Sequence, residues 1–166
     1  MPRIGVLADT HLADTGAAYA FLQDLIERQF AAVDLILHAG DIVAPGLLTA
    51  LSPCPVLAVR GNMDPAAPDL PLKRVVEVAG VRIGLIHGWG PPAGLTQRVR
   101  RDFADLLVDC LVFGHSHVPM CQRQGGLLLF NPGSATDRRG QPNCSVGLLE
   151  VQDGAIRGRI IMLGDK

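Results

Sequence analysis

Five short segments of this 166-residue chain each follow an apolar run and carry side chains that bind metal ions. Together they supply two carboxylates, one amide and four imidazoles, from Asp9, His11, Asp41, Asn62, His87, His115 and His117. Mixed nitrogen and oxygen ligands suit Mn²⁺, Fe, Zn²⁺, Co²⁺ or Ni²⁺ better than Ca²⁺ or Mg²⁺. The set exceeds the four ligands of a tetrahedral zinc site but fits two ions that share one ligand. The sequence therefore predicts a centre that holds two divalent metal ions.

Two neighbouring divalent ions commonly serve to attack phosphorus, so the segments predict a phosphoesterase. We hypothesise that a hydroxide bridging ions roughly 3.5–4 Å apart attacks in line with the leaving oxygen. His87, His115 and His117 must be neutral to bind an ion, so activity should fall below about pH 6. A single histidine is usually a packed or surface residue, and only the five segments in order carry the prediction. The remaining histidine, His38, is interpreted as a packing residue beside the centre.

The apolar runs before these segments are typical of buried strands. They are Ile4–Ala8, Leu35–Leu37, Pro55–Val59, Ile83–Ile86 and Leu111–Phe113. Ligands of open α/β sheets bind beyond the carboxyl ends of strands, so loops far apart in sequence can meet at one edge. Glycine at positions 40, 61, 88 and 114 lets the backbone turn sharply beside the ions.

The rest of the chain supplies helices and further strands. Apolar periodicity predicts a helix over residues 17–30, a short helix around Pro45–Leu51 and a second long helix over Leu95–Leu107. Strands are predicted at Arg74–Val78, Val81–Ile86, Leu127–Phe130, Ser145–Val151 and Ala155–Leu163, with Ala79-Gly80 and Asp153-Gly154 as hairpin turns. This mixture predicts two packed sheets with helices on the outer faces.

Composition excludes several classes of protein. The net charge is −1, and one Trp and one Tyr accompany it, so no dedicated nucleic-acid surface is expected. The basic cluster at residues 98–101 is a solvated helix face or, alternatively, a phosphate-facing patch. No apolar stretch approaches the roughly 18 residues that span a membrane. Four scattered cysteines without a C-x-x-C pair indicate free, mostly buried thiols, and we expect a cytoplasmic protein.

The order D-x-H, G-D, G-N, H-G, G-H-x-H resembles that of the calcineurin-like metallophosphoesterases. Gly61-Asn62-Met63-Asp64 and Phe130-Asn131-Pro132-Gly133-Ser134 are similar to the small YfcE-type branch. The resemblance implies one metallophosphoesterase domain over residues 1–166. Its fold would be a four-layer α/β/β/α sandwich of two mixed sheets with helices on the outer faces.

Carried over by motif, the resemblance divides the ligands between two ions, with Mn²⁺ preferred. Asp9, His11, Asp41 and His117 would hold the first ion. Asp41, Asn62, His87 and His115 would hold the second, so that Asp41 bridges. Asn62 and His87 are also assigned catalytic roles. Scaffold relatives of the family, the retromer Vps29 subunits, have lost part of this set.

One position departs from the family pattern. Larger members carry a His directly after the Asn of the third motif, thought to protonate the leaving group, and Met63 stands there. Asp64 is the nearest candidate for the general acid, or else a structural carboxylate that caps the Pro-rich loop over residues 65–71. Activated aryl phosphodiesters should therefore outperform alkyl phosphomonoesters. Asn131 and Ser134 either orient a phosphate or form a turn.

The expected substrate is a small, accessible phosphodiester, because little chain remains beyond the core fold for a cap. Cyclic nucleotides fit that description, and Trp89 either stacks on a base or packs its own loop. Two alternatives remain open: a non-catalytic interaction scaffold like Vps29, and a phosphomonoesterase. A homo-oligomer is plausible only by analogy with branch relatives.

Overall fold

The computed structural model describes residues 1–164, which form ten strands and three helices. The strands are β1 (Arg3–Leu7), β2 (Leu35–His38), β3 (Val56–Ala58), β4 (Lys73–Val78), β5 (Val81–Ile86), β6 (Cys110–Val112), β7 (Met120–Gln124), β8 (Leu127–Asn131), β9 (Ser145–Gln152) and β10 (Ala155–Met162). The helices are α1 (Gly16–Gln29), a 3₁₀ helix (Pro45–Leu51) and α2 (Leu95–Asp102).

The strands make two mixed five-stranded sheets. The first sheet has the order β10-β9-β1-β2-β3, in which β1, β2 and β3 run parallel and β9 pairs antiparallel to β1. The second sheet has the order β4-β5-β6-β8-β7, with β5, β6 and β8 parallel. Each sheet therefore presents the carboxyl ends of three neighbouring parallel strands at one edge.

Successive side chains along each strand point to opposite faces of its sheet, so one set packs between the two sheets and the other packs under the helices. Ile4 and Leu37 of the first sheet pack against Ile83 and Val112 of the second in one fully buried cluster. The intervening residues face outward, where α1 and the 3₁₀ helix cover the first sheet and α2 covers the second. Burial of both faces explains the apolar runs of the inner strands β1, β2 and β6. The predicted four-layer α/β/β/α sandwich is confirmed.

Capping explains where α1 begins. The Thr15 side chain accepts a hydrogen bond from the Ala18 N–H, which satisfies one of the free amides of the first turn. Leu22 and Leu25 then point from one face of the helix into the core. Within residues 1–164, no helix is long and apolar enough to cross a bilayer.

Three sequence-based predictions were wrong in detail. The second long helix ends at Asp102 rather than Leu107, because the Phe103 N–H turns to the Arg100 and Arg101 carbonyls while its side chain is buried under the second sheet. Strand β7 was missed because four of its five residues are exposed, so no apolar pattern marks it. The four free cysteines are not mostly buried: Cys110 alone is buried, and Cys121 is exposed.

Candidate metal centre

The seven predicted ligands all lie on loops that leave the carboxyl ends of parallel strands. Asp9, Asp41 and Asn62 follow β1, β2 and β3 of the first sheet. His87 follows β5, and His115 and His117 follow β6, in the second sheet. The two sheets thus contribute to one centre at their common edge, as the strand pattern predicts.

The loops hold most of these residues in an uncommon backbone conformation. Five of the seven have positive φ: Asp9 (52°), His11 (44°), Asp41 (57°), His115 (71°) and His117 (60°). Residues other than glycine rarely adopt this region, and such strain concentrates at functional sites. Backbone bonds hold the first two in place, from the Asp9 N–H to the Gly40 carbonyl and from the His11 N–H to the Asp41 carbonyl.

Two glycines permit the loops to approach one another. A Cβ at Gly61 would overlap both the carboxylate and the backbone nitrogen of Asp41. A Cβ at Gly114 would lie 2.7 Å from Asp9 Oδ2 and 2.8 Å from the Ala8 Cβ. Any larger residue at these two positions would displace a ligand carboxylate.

Three histidines are oriented by backbone carbonyls, which fixes their tautomers. His87 Nδ1 lies 2.8 Å from the Ala39 carbonyl oxygen, and His117 Nδ1 lies 2.6 Å from that of Asp137. His115 Nε2 lies 2.7 Å from the Gly90 carbonyl oxygen. A carbonyl oxygen only accepts, so each of these nitrogens carries the proton. The other ring nitrogen of each is left bare for a cation, an arrangement common around protein metal sites.

One cluster joins Asp9, His11 and His117. Their Asp9 Oδ1, His11 Nε2 and His117 Nε2 atoms are buried, and none has a hydrogen-bond partner among residues 1–164. Asp9 Oδ1 lies 3.8 Å from His11 Nε2 and 3.5 Å from His117 Nε2. Buried polar atoms almost always have a partner, so three orphaned atoms that converge on one point fit a shared cation as their partner.

A second cluster surrounds His87 Nε2. This bare nitrogen lies 3.1 Å from Asn62 Oδ1, 3.3 Å from His115 Nδ1 and 3.3 Å from Asp41 Oδ2. With the tautomers fixed as above, all four atoms carry lone pairs and none carries a proton. Four facing acceptors repel one another unless a cation lies between them.

Asp41 lies between the two clusters. Its Oδ2 is 3.5 Å from His11 Nε2 of one cluster and 3.3 Å from His87 Nε2 of the other. Its Oδ1 accepts the Met63 N–H at 2.8 Å, which fixes the orientation of the carboxylate. A carboxylate oxygen in this place suits a ligand shared by two ions. The donor set therefore fits a pair of divalent cations.

Proton binding in the metal-free centre reflects the same geometry. Burial alone would lower the pKa of His87, but contact with Asp41 and the charges of Asp9 and Asp41 raise it above its ordinary value. Burial would also lower the pKa of His117, but its contact with Asp9 outweighs burial and raises that pKa above its ordinary value. The pKa of Asp9 is lowered, because His11, His117 and the charge of His87 outweigh the effect of burial. Protons thus collect on the histidines where cations would bind.

Both carboxylate oxygens of Asp64 are occupied by hydrogen bonds from the backbone. Its Oδ2 accepts the N–H groups of Asp41 and Gly61, each at 2.8 Å, and its Oδ1 accepts the Val43 N–H at 2.7 Å. Val43 has a φ of 74°, which is strained for a β-branched residue. The carboxylate therefore stabilises the loop that presents Asp41, which favours the structural alternative over the general acid.

Residues at the end of β8 and in the loop after it support the centre from behind. Ser134 Oγ donates to the Asp9 carbonyl at 2.7 Å and accepts the Thr136 N–H at 3.2 Å, and Thr136 Oγ1 donates to the Thr10 carbonyl. Asn131 Nδ2 donates to the Gly114 carbonyl. Asn131 and Ser134 are fully buried, so they position loops rather than contact a phosphate. Thr136 was missed, since nothing in its sequence context marks it.

A cleft opens beside the second cluster. It has a volume of about 600 Å³, and Asn62 and His87 form the wall nearest the clusters. Arg60, Leu72 and Trp89 line the part beyond them. Trp89 also lines the cleft, with 54% of the residue exposed, and its indole N–H donates to the Asp102 carboxylate.

Comparison with known proteins agrees with the fold and the motifs. The family model of the calcineurin-like phosphoesterase superfamily domain matches residues 2–154. The chain belongs to the calcineurin-like phosphoesterase superfamily. It is 37% identical over 163 residues to a probable metallophosphoesterase of Methanothermobacter thermautotrophicus, covering 97% of this chain and 92% of the relative.

Two further relatives bear on activity. Phosphodiesterase YfcE of Escherichia coli is 34% identical over 107 residues, covering 57% of this chain and 52% of YfcE. A crystal structure of a Vps29 single mutant from Entamoeba histolytica superposes with a TM-score of 0.70 at 25% identity, covering 98% of this chain and 99% of Vps29. The fold is thus shared with proteins named as enzymes and with Vps29.

Proposed function

We propose that this protein is a phosphodiesterase that hydrolyses a small, accessible phosphodiester and uses two divalent cations, with Mn²⁺ as the expected metal. The observation that carries the proposal is the pair of acceptor clusters joined by Asp41 Oδ2. Its support is the complete ligand set in a family of phosphoesterases. Similarity to a relative named phosphodiesterase, YfcE, is the reason for proposing diesters rather than monoesters as substrates.

Bound divalent ions act as Lewis acids that activate water and neutralise the phosphoryl oxygens. The chain's own groups prepare that chemistry. Asp9, His11 and His117 would hold one ion, Asn62, His87 and His115 the other, and Asp41 both. Anchoring of the three histidines to carbonyls places the single proton of each neutral ring on the anchored nitrogen and directs the other nitrogen towards the ions. Asn62, an exposed residue at the mouth of the cleft, is placed to orient the phosphate as well.

The proposal includes no strong general acid for the leaving group. Met63 is 56% exposed, and its thioether cannot donate a proton. Asp64 is engaged by three backbone N–H groups. Leaving groups that depart as stable anions, such as p-nitrophenolate, should therefore react much faster than alkoxides.

The direct test is hydrolysis by metal-stripped protein with and without added Mn²⁺. Bis-p-nitrophenyl phosphate, p-nitrophenyl phosphate and an alkyl phosphodiester should be compared, together with the variant His117→Ala. We expect Mn²⁺-dependent turnover that is fastest for the aryl diester and falls by at least about a hundredfold in the variant, since the first cluster loses a ligand. Faster turnover of the monoester would instead identify a phosphomonoesterase.

The alternative is a protein-interaction scaffold, which the similarity to Vps29 keeps open. Absence of turnover with Mn²⁺, Ni²⁺, Co²⁺ and Zn²⁺ in a protein that binds these ions would favour the scaffold. The intact set of seven ligands is the observation against it.

A further inference from the structure

The cleft beside the second cluster contains a positively charged side chain, that of Arg60, which the proposed chemistry does not use. Arg60 precedes Gly61 and Asn62, and its side chain is half-buried in the cleft wall. Its guanidinium forms no hydrogen bond or ion pair with any residue in the described part of the chain. Phosphate is the anion that the planar fork of a guanidinium matches best.

Other charges along the cleft are already engaged. The Lys73 ammonium donates to the Asp102 carbonyl at 2.5 Å and lies over the Phe103 ring. The Asp102 carboxylate accepts the Trp89 indole N–H at 3.1 Å. Asp64 is held by backbone amides. Of the two cationic side chains that line the cleft, Arg60 is the one whose charged group forms no hydrogen bond, ion pair or ring contact with another described residue.

An aromatic surface lies in the same cleft. The Trp89 indole is fixed by Asp102 and by Arg98, whose guanidinium lies 5.3 Å from the ring centre. Arg98 in turn is held by the carbonyls of Trp89 and Ala93, so it supports this loop rather than forming a solvated face. A rigid, half-exposed indole in a cleft offers a stacking surface for a flat ring.

Resting on the proposed function, we propose that the cleft binds the organic arm of the diester and selects a nucleotide that bears a second phosphate. The scissile phosphate lies at the two clusters, the nucleobase stacks on Trp89, and the second phosphate pairs with Arg60. The cleft volume of about 600 Å³ lies within the usual range for small-molecule sites. In the reaction the phosphorus–oxygen bond to the leaving group breaks as the water oxygen bonds to phosphorus. One proton of the water passes to solvent, and the leaving oxygen departs as an anion that solvent protonates where it is basic.

The first experiment compares two esters that differ by one phosphate. They are the p-nitrophenyl ester of thymidine 5′-phosphate and the same ester with a 3′-phosphate, hydrolysed by Mn²⁺-loaded protein. The 3′-phosphate should lower KM. Arg60→Gln should raise KM for the bisphosphate ester about tenfold, as expected for a lost charge-assisted bond, and leave kcat within about twofold. Arg157→Gln, an exposed charge on β10, serves as the control and should change neither.

The second experiment needs no turnover. Trp89 is the only tryptophan, so intrinsic tryptophan fluorescence reports on the cleft directly. Thymidine 3′,5′-bisphosphate should quench it with a Kd about tenfold lower than that of thymidine 5′-phosphate, and Arg60→Gln should remove that difference while Arg60→Lys restores part of it. In the kinetic assay Trp89→Phe should leave the KM of both esters near that of the unaltered protein, and Trp89→Ala should raise the KM of both, because base stacking is lost.

The outcomes separate this inference from the proposed function. The inference would be overturned if Arg60→Gln raised KM equally for both esters, or if neither nucleotide changed the tryptophan fluorescence. Either result would overturn it even if diesters are hydrolysed. No hydrolysis of any ester, with quenching that depends on Arg60, would leave the nucleotide site standing while the proposed phosphodiesterase fails.

Discussion

At the scale of single residues, two polar side chains outside the ligand set have different roles beside the ligands. Asp64 satisfies three backbone N–H groups of the ligand loops, and His38 joins two loops from within the core. Neither has an atom in the two clusters. Both are accordingly tested by stability rather than by turnover alone.

Replacing Asp64 by Asn should destabilise the metal-free protein. An amide keeps one acceptor oxygen but turns N–H donors towards at least one of the Asp41, Val43 and Gly61 amides. The expected loss is about 1–3 kcal/mol of unfolding free energy, measured by urea denaturation. A general acid would behave differently: Asp64→Asn would leave stability unchanged and slow only esters with poor leaving groups.

His38 should make the protein acid-sensitive. The Gly40 N–H donates to Nδ1 at 3.2 Å, so the proton lies on Nε2 and is shared with Thr10 Oγ1. Complete burial lowers the pKa of His38 to about 4 from 6.5. Because the unfolded chain then binds a proton more readily, stability is lost as pH falls from about 6.5 towards 4. Between pH 7 and pH 4.5 the loss should be about 2–3 kcal/mol.

The variant His38→Asn isolates this contribution. The asparagine oxygen can accept the Gly40 N–H, but the side chain does not titrate. Urea denaturation of both metal-free proteins at pH 7 and pH 4.5 gives the difference, in which the contributions of Asp9 and Asp41 cancel. Identical pH dependence of the two proteins would show that His38 is already protonated or already exposed.

At the scale of elements, the loops after β2 and β3 are packed so closely that their glycines decide the geometry. Gly61→Ala would push its Cβ into Asp41, which both clusters share. We expect the variant to lose most metal affinity, with a drop of at least tenfold measured by titration with Mn²⁺. Gly46→Ala is the matched control, since a Cβ at Gly46 meets nothing within 4 Å. Equal affinities in the two variants would contradict the close-packing argument.

Sequence patterns predicted the elements that are determined by neighbouring residues in the chain, such as buried apolar strands and tight turns. Apolar runs marked β1 and β2, and Ala79-Gly80 marked the β4–β5 hairpin, whose two turn residues both have positive φ. The same logic placed the ligand segments at one sheet edge, since parallel strands share an end. It did not reveal β7, an exposed edge strand with polar residues, because pairing with β8 rather than burial creates it.

The candidate site was predictable only in its ligands. The role of Asp64 depends on the path of the loop that brings Asp41, Val43 and Gly61 around its carboxylate. The support from Ser134 and Thr136 reaches residues more than 120 positions away in sequence. The free guanidinium of Arg60 is visible only once every neighbouring charge has been paired. Each of these depends on tertiary contacts that no spacing encodes.

At the scale of the whole molecule, the metal centre joins the two sheets. Asp9, Asp41 and Asn62 come from the first sheet, and His87, His115 and His117 from the second. Bound ions would therefore hold together the ends of both sheets, and their removal should weaken the domain as a unit. Ligands that bind only the folded state stabilise it by mass action.

The size of this stabilisation should depend on pH. The pKa values of His87 and His117 are raised in the metal-free protein, so their stabilising contribution is present below about pH 6.5 and is lost as pH rises through the raised values. Ions must displace the same protons, so metal affinity increases as pH rises. Both effects act in one direction: the shift in Tm on adding Mn²⁺ should be larger at pH 8 than at pH 6.

Calorimetry with and without Mn²⁺ measures that shift. At a concentration near 100 times Kd the gain is about 2.7 kcal/mol, which for a chain of this size raises Tm by roughly 5–10 °C. His117→Ala should lose much of the shift at pH 8, because the first cluster loses a ligand. His38→Asn removes a histidine outside both clusters and should keep it. The shift in Tm could instead be equal at pH 6 and pH 8, or equal in His117→Ala and the unaltered protein. Either result would mean that Mn²⁺ binds elsewhere and that the two sheets are not joined through these residues.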